Sequence, residues 1–410
     1  LTSLMEYFFL LGSHPALSAA ELAAVLPSWP GIGSASVGGP RVADEKILLW
    51  RTDQALDAAA LLDRLGGTIK IGLLAGRIQN DGQIVDALTA YLPAAGRVFF
   101  GFSIYGQPPA PIKDLALQVK KKLLARGQSS RWVVSREKTL SSVVVEKNKL
   151  LTKGGEALVI RDGDGWLIGF TAAVQPFADF SRRDYGRPAR DDYSGLLPPK
   201  LARIMLNLGL AGSPAGAVVL DPFCGSGTVL MEALLMGAQK AFGSDLSPRA
   251  LRDAENNLSW LKKNYPAAAG VYELKKSDAA ALAAAPGLWP RAAVDAIVTE
   301  PYLGAPRGPV DYPRQIRQLN DLYGRFLAAA GAVLRPAGRI VMVWPIFRAA
   351  GVNGRLQPGL QSFKIIPPWP PAWPLHPAWS LTERGTLVYG RPDQKIWREI
   401  VILSRCSRSA

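Results

Sequence analysis

Asp221, Asp245 and Asp278 each follow a predicted strand, a spacing that gathers carboxylates along one edge of a sheet, where they can share a ligand. Asp221 closes the apolar run AVVL and opens the loop DPFCGSGT, residues 221–228, which leads into a predicted helix. In that loop Pro222, Gly225, Gly227 and Thr228 are the candidate ligand contacts beside Asp221, because glycines let backbone approach a ligand closely. The loop lacks the Lys of a GxxxxGK[ST] phosphate loop, which disfavours a nucleoside triphosphate. It also departs from the GxGxxG dinucleotide pattern. Taken alone, such a turn serves equally well as a tight-turn device.

Asp245 ends the segment AFGSD, where a carboxylate can accept both hydroxyls of a ribose, with Leu246 beside it. Asp278 ends YELKKSD, where it can accept from an adenine amino group, with Ala279 next in sequence. Ser247 and Pro248 already supply the cap and first turn of the following helix, so Asp245 is not needed there. A purely structural role remains the alternative for both acids. A strand-end Asp also pairs with a cationic ligand head. NAD has neither an ammonium nor a sulfonium, whereas S-adenosylmethionine offers both, and the three acids together point to it.

The elements around these residues alternate. Strands are expected at 217–220, 241–244, 271–275, 293–298 and 339–344, and helices at 228–236, 248–265 and 319–334. That order predicts an open, mostly parallel sheet covered on both faces. Segments 381–389 and 399–404 predict an antiparallel edge pair, and the Pro/Trp-rich run 366–379 an irregular loop. Upstream, strands at 7–12, 46–51 and 68–78 enclose helices at 56–65 and at 19–26. Ser18 is the expected cap of the latter, with Glu21 in a capping box. A second α+β run follows: strands 97–105 and 131–134, helices 113–126 and 146–151, and a hairpin of 156–161 with 166–175. The polar stretch 179–199 reads as a linker.

A chain of 410 residues exceeds one compact core, so two or three domains are expected. Its 48% hydrophobic and 20% charged residues exclude a disordered chain, and no apolar run approaches the ~20 residues of a membrane span. No signal peptide is expected, and the first Met, Met5, leaves the start open. Cys224 and Cys406 are the only cysteines, without a CxxC or Cys/His cluster, so neither a disulfide framework nor a structural metal is expected. His14 and His376 read as structural. These features together fit a cytoplasmic protein.

The net charge is +15, a field that attracts polyanions. Ten Lys/Arg fall between residues 120 and 153 against Glu137 and Glu146, a local +8. These are Lys120, Lys121, Lys122, Arg126, Arg131, Arg136, Lys138, Lys147, Lys149 and Lys153. Such a cluster is either a solvated surface or, with a phosphate backbone as partner, a nucleic-acid face. In the linker Arg182, Arg183, Arg187 and Arg190 accompany Tyr185 and Tyr193. They suit phosphate and base contacts, or else form a local lattice with Asp184, Asp191 and Asp192.

The fourth strand of the C-terminal region leads into Thr299, Glu300, Pro301 and Tyr302. This TEPY segment resembles the [D/N]PP[Y/F] motif of methyltransferases acting on exocyclic amino groups of bases. In those enzymes the first side chain and the next backbone carbonyl accept hydrogens from the amine, and the aromatic residue stacks on the flipped base. An aryl amine is a poor nucleophile until its lone pair leaves conjugation. Acceptors placed where positive charge develops lower the barrier, and stacking offsets part of the cost of extruding a base.

The chain as a whole resembles the THUMP-containing tRNA guanine-N2 methyltransferases, relatives of the enzymes that modify guanosine 10. The similarity runs through YFFLLGSHPALSAAEL, LGGTIKIG, SRRDYGRPARDDYSGLLPPKLARIMLNL, DPFCGSGT, TEPY and GRPDQKIWREI. It implies an α+β ferredoxin-like domain at 1–90, a THUMP RNA-binding domain at 91–178, a linker at 179–199 and a Rossmann-like class I methyltransferase domain at 200–410. It also implies S-adenosylmethionine as donor, tRNA as partner, and residues 299–302 as catalytic. The basic cluster then falls inside the RNA-binding module.

Thr299 and Glu300 depart from the family motif, since a hydroxyl is a weaker acceptor than a carboxylate. Glu300 then either takes over as acceptor, marks a different target atom or a reduced activity, or pairs with a linker arginine. Tyr302 is a stacking platform or core filler. The alternatives are methylation of another base amine, in RNA or DNA, and a tRNA-binding protein with impaired catalysis.

Overall fold

Two eight-stranded sheets, formed by successive parts of the chain, carry the structure. The computed structural model describes residues 4–30, 32, 39–190, 196–282, 289, 291–305, 310–348 and 355–406; Tyr193, Asp191 and Asp192 lie outside these.

The first sheet holds β1 (Met5–Leu11), β2 (Arg41–Asp44), β3 (Ile47–Thr52), β4 (Thr68–Ile78), β5 (Val98–Tyr105), β6 (Ser130–Trp132), β7 (Gly154–Asp162) and β8 (Gly165–Val174). Their order is β2-β3-β1-β4-β8-β7-β5-β6. Helices α1 (Pro15–Val25), α2 (Ala58–Arg64), α3 (Asp81–Tyr91), α4 (Ile112–Ala125), α5 (Ser142–Lys147) and α6 (Leu150–Lys153) connect them. The two modules expected at 1–90 and 91–178 share this one sheet, because β4 pairs antiparallel with β8 from Lys70–Val174 to Ile78–Trp166. A fully buried ion pair, Lys70 Nζ to Glu156 Oε1 at 2.6 Å, crosses the seam. Glu156 also accepts from the Thr171 hydroxyl, which compensates its desolvation. Helix α3, absent from the sequence expectation, packs Ile84, Val85 and Leu88 with Leu115, Val119 and Leu123 of α4. It thus belongs to the second core although it falls within 1–90.

The capping box expected at Ser18 is not formed. Helix α1 begins three residues earlier, with Pro15 in its first turn, where a missing N–H costs nothing. Ser18 instead donates to the Gly67 carbonyl. Glu21 is buried and accepts from the N–H groups of Gly66 and Gly67, each at 2.8 Å, and from Asn207 Nδ2 at 2.6 Å. Burial raises its pKa against these bonds.

The second sheet follows α7 (Phe177–Tyr185) and α8 (Pro199–Leu210). It holds β9 (Val218–Asp221), β10 (Lys240–Asp245), β11 (Val271–Lys276), β12 (Val294–Thr299), β13 (Leu334–Phe347), β14 (Phe363–Ile365), β15 (Leu387–Tyr389) and β16 (Ile396–Arg405). Between them run α9 (Thr228–Leu235), α10 (Pro248–Asn264) and α11 (Tyr312–Ala330). The order β11-β10-β9-β12-β13-β16-β14, with β15 also on β16, is parallel through β13 and antiparallel at β16. Strand alternation sends Val219, Val298 and Val341 to the face covered by α8, and Leu220, Ile297 and Ile340 to the face covered by α11. This is the Rossmann-like class I methyltransferase fold, with its switch point where β10 and β12 flank β9. Among the described residues no helix is long and apolar enough to cross a membrane.

The stretch 179–199 is not simply a linker. Its first residues belong to α7, which buries Phe180 and Arg183. Arg183 Nε meets Glu232 Oε1 at 2.6 Å, and Arg203 Nη2 meets Glu232 Oε2 at 2.7 Å.

Candidate active site

The sheet brings its strand-end acids to one edge at the switch point. Asp221, the last residue of β9, is 2% exposed, and its Oδ1 accepts from the Phe223 N–H at 3.1 Å and the Thr299 hydroxyl at 2.6 Å. Burial pushes its carboxyl up to about 7, against these two hydrogen bonds and with help from the charges of Asp245 and Glu300. Gly225 and Gly227 have φ of +50° and +83°, the left-handed region that side chains resist. A Cβ on Gly225 would meet nothing within 4 Å, so the loop leaves open space above it.

Asp245 ends β10 and braces this loop. Its Oδ2 accepts from the Gly225 N–H at 3.1 Å and its Oδ1 from the Ser247 N–H at 2.8 Å. Each oxygen keeps a second lone pair. Ser247 caps α10 through Ala250, as its sequence position predicts. Leu246 beside it is 62% exposed. Asp278 lies two residues past β11 and caps a short 3-10 turn through the Ala280 N–H at 2.9 Å, with Ala279 buried beneath. The structural role weighed for Asp278 is therefore filled.

The linker holds the back of the loop. Asn257 in α10 donates to the Ser226 and Ala189 carbonyls, both at 2.8 Å, and accepts from the Ala189 N–H at 2.9 Å. Arg187 Nη1 donates to the Thr228 hydroxyl at 2.6 Å. Arg183 and Arg187, expected to contact RNA, are only 3% and 4% exposed. They serve the protein interior instead, because paired guanidiniums close the gap between linker and loop. Arg182 stays exposed but donates to Asn264 Oδ1 at 2.6 Å and lies over Tyr265. Sequence reasoning missed Asn257, although an Asn on the apolar stripe of Ala254, Leu258 and Leu261 was a readable signal.

On the other side of β9, Thr299 is fully buried at the end of β12, its proton committed to Asp221. Glu300 meets Arg398 of β16 at 2.5 Å, so its partner is a strand residue rather than a linker arginine. Burial alone would lower the Arg398 pKa, but the charge and hydrogen bond of Glu300, with Tyr389, together raise it. Pro301 is buried, and Tyr302 is 57% exposed, which excludes a core role for its ring. Its carbonyl is fixed by the Tyr323 hydroxyl at 2.8 Å.

Of the basic cluster, Lys120, Lys121, Arg126, Arg131, Arg136, Lys138, Lys147, Lys149 and Lys153 are exposed on the first sheet's module. Lys122 is half-buried and pairs with Asp86, and Arg126 also donates to the Thr89 carbonyl.

A family model described as an RMKL-like methyltransferase domain matches residues 187–349, which include the acids, the loop and the TEPY segment. A tRNA (guanine(10)-N2)-dimethyltransferase of Methanothermobacter thermautotrophicus is 36% identical over 155 residues, 37% of this chain and 40% of that protein. A tRNA (guanine(6)-N2)-methyltransferase of Thermus thermophilus is 33% identical over 172 residues, 40% of this chain and 44% of that protein. Residues 187–349 of this chain are thus similar to a methyltransferase domain. The alignments span less than half of each of these two relatives.

A second model, described as DNA methylase, matches residues 113–256. It overlaps the first across the glycine loop, and its remainder runs over the first sheet's module and α7, outside the methyltransferase fold. The crystal structure of TrmN from Thermus thermophilus covers 98% of this chain and 100% of its own, with a TM-score of 0.54 at 21% identity. The chain therefore shares its fold with that protein over nearly its whole length.

Proposed function

We propose that the protein transfers a methyl group from S-adenosylmethionine to the exocyclic N2 of a guanine in tRNA. The observation that carries this reading is the row of groups along one sheet edge: Asp245 on β10, Asp221 on β9, then Thr299 and exposed Tyr302 after β12. The residues fit the donor. Asp221 would hold its cationic amino-acid part. Asp245 accepts the two ribose hydroxyls with its remaining lone pairs. Leu246, Asp278 and Ala279 would hold the adenine. Pro222, Gly225, Gly227 and Thr228 shape the opening, and when bound the donor supplies a methyl group already activated by its sulfonium.

The chain's own residues then orient the acceptor. The Thr299 oxygen, its proton given to Asp221, is polarised by that bond and keeps lone pairs for the amine N–H. This offsets part of what the missing carboxylate costs. Glu300 contributes its backbone carbonyl, because its carboxylate is neutralised by Arg398. Tyr302 stacks on the extruded base, and most of the rate comes from proximity and orientation. The module 91–178 with its exposed cations docks the tRNA as a THUMP domain would, after a ferredoxin-like domain at 1–90. Two thiols without a disulfide, Cys224 and Cys406, support a cytoplasmic setting.

A second reading, a tRNA-binding protein with impaired catalysis, draws on the engagement of both Thr299 and Glu300 by neighbours. Incubation of an unmodified tRNA transcript with labelled donor, followed by digestion and mass analysis of nucleosides, separates the two. The expected product is N2-methylguanosine. A different methylated nucleoside overturns the target atom. Donor and tRNA binding without any product establishes the second reading.

A further inference from the structure

A cleft of about 280 Å³ lies beyond the acceptor segment, at the same edge of the sheet, between the linker and the turn that joins β15 to β16. Its lining includes Tyr185, Arg190, Tyr389, Arg391, Gln394 and Arg398, with Asp184 as the carboxylate in the wall. Arg398 ties this cleft to the acceptor segment, because it also pairs with Glu300. The strand order gives the direction. Donor acids stand after β11, β10 and β9, and the acceptor after β12. Arg398 is paired across from Pro345 near the carboxyl end of β13, one position further along. The cleft therefore lies on the side of the acceptor away from the donor.

We propose that this cleft holds one nucleotide of the RNA strand next to the extruded base, as a base-stacking and phosphate subsite. Three chemical features select that ligand. Tyr185 is 68% exposed, so its ring is accessible to a ligand. The Arg190 guanidinium lies 4.4 Å from the Tyr185 ring centroid, an aromatic and cationic pair of the kind on which bases stack. Arg391, which is exposed, and Arg398, which pairs with Glu300, bring further guanidinium groups to the lining. Tyr389 is fixed from behind by His14, stacked at 4.3 Å, whose Nε2 is also within hydrogen-bond distance of both the N–H and the carbonyl of Gly390. A wall held by a residue from the first sheet's module is preorganised before any ligand arrives. The volume lies near the low end of small-molecule pockets, roughly 300–1,000 Å³, which suits one nucleotide unit.

The proposal rests on the reading of the substrate as tRNA, and the test keeps the two apart. An unmodified tRNA transcript, fluorescently labelled, is titrated by anisotropy against the parent chain and the variants Tyr185→Ala, Tyr185→Phe and Arg391→Ala. Donor affinity is followed in parallel by calorimetry. The Tyr185→Ala chain is expected to bind tRNA about tenfold more weakly, the scale of one lost stacking contact. Tyr185→Phe keeps the ring and is expected to retain parental affinity. Arg391→Ala is expected to lower the dependence of log K on log salt by about one, as for one phosphate contact removed. Donor affinity stays unchanged in all three. Parental tRNA affinity and salt slope in both alanine variants overturn the subsite. If the parent binds tRNA and donor but methylates nothing, the enzymatic reading falls while the anisotropy result still decides the cleft.

Discussion

The edge proposed to hold the donor and the cationic surface of the first sheet's module present different physical problems. Around the glycine loop, polar groups are buried and cross-linked. Asp221, Asp245, Asn257, Arg183 and Arg187 all make bonds between separate elements. On the cationic face nine of the ten basic side chains between residues 120 and 153 are exposed. Chemistry that depends on position to a fraction of an ångström requires groups locked by their neighbours. Attraction of a polyanion requires only charge, which works from water-exposed side chains over about a Debye length. Single substitutions at the donor edge should therefore have large effects, and single substitutions on the cationic face small, additive ones.

The first way to break this comparison is at Asn257. Asn257→Ala removes three bonds that join the linker to the loop. Donor affinity, measured by calorimetry on chain that retains its native circular dichroism, is expected to fall about tenfold, equivalent to ~1.4 kcal/mol. tRNA affinity is expected to hold. If donor affinity is unchanged, the linker is not part of the donor site. A smaller effect is expected on the cationic face. Lys147→Ala or Lys149→Ala should weaken tRNA binding by about threefold and reduce the salt slope by about one unit each, without altering donor affinity. An unchanged salt slope would assign this cluster to solubility alone.

Much of the placement of the strand-end acids was legible in the sequence because it depends on local pattern. An apolar strand, an Asp and a glycine turn are contiguous in DPFCGSGT, and the acids at Asp245 and Asp278 recur at the same strand-end positions. Strand β4 was readable to the residue, since its apolar run ends in clear breakers. What stayed hidden depends on contacts between distant segments. Arg183 and Arg187 look like any exposed arginines until Glu232 and Thr228 are folded against them. Glu300 has a partner 98 positions away, in a strand whose place beside β13 only the fold decides. Ser18 satisfied the local capping rule, yet the packing of α1 against the turn at Gly66 and Gly67 took both Ser18 and Glu21 for another purpose. Helix α3 escaped because its amphipathic pattern is short and its core partner, α4, lies in the next module.

The central claim is that Asp245 and Asp221 hold S-adenosylmethionine across the switch point of the second sheet. Calorimetric titration of the donor into the parent chain and into Asp245→Ala tests it most directly. The parent should bind, and the variant should lose at least about a hundredfold in affinity, the scale of charge-assisted hydrogen bonds to two hydroxyls. Its tRNA affinity should be unchanged. Undiminished donor binding by Asp245→Ala would contradict the account.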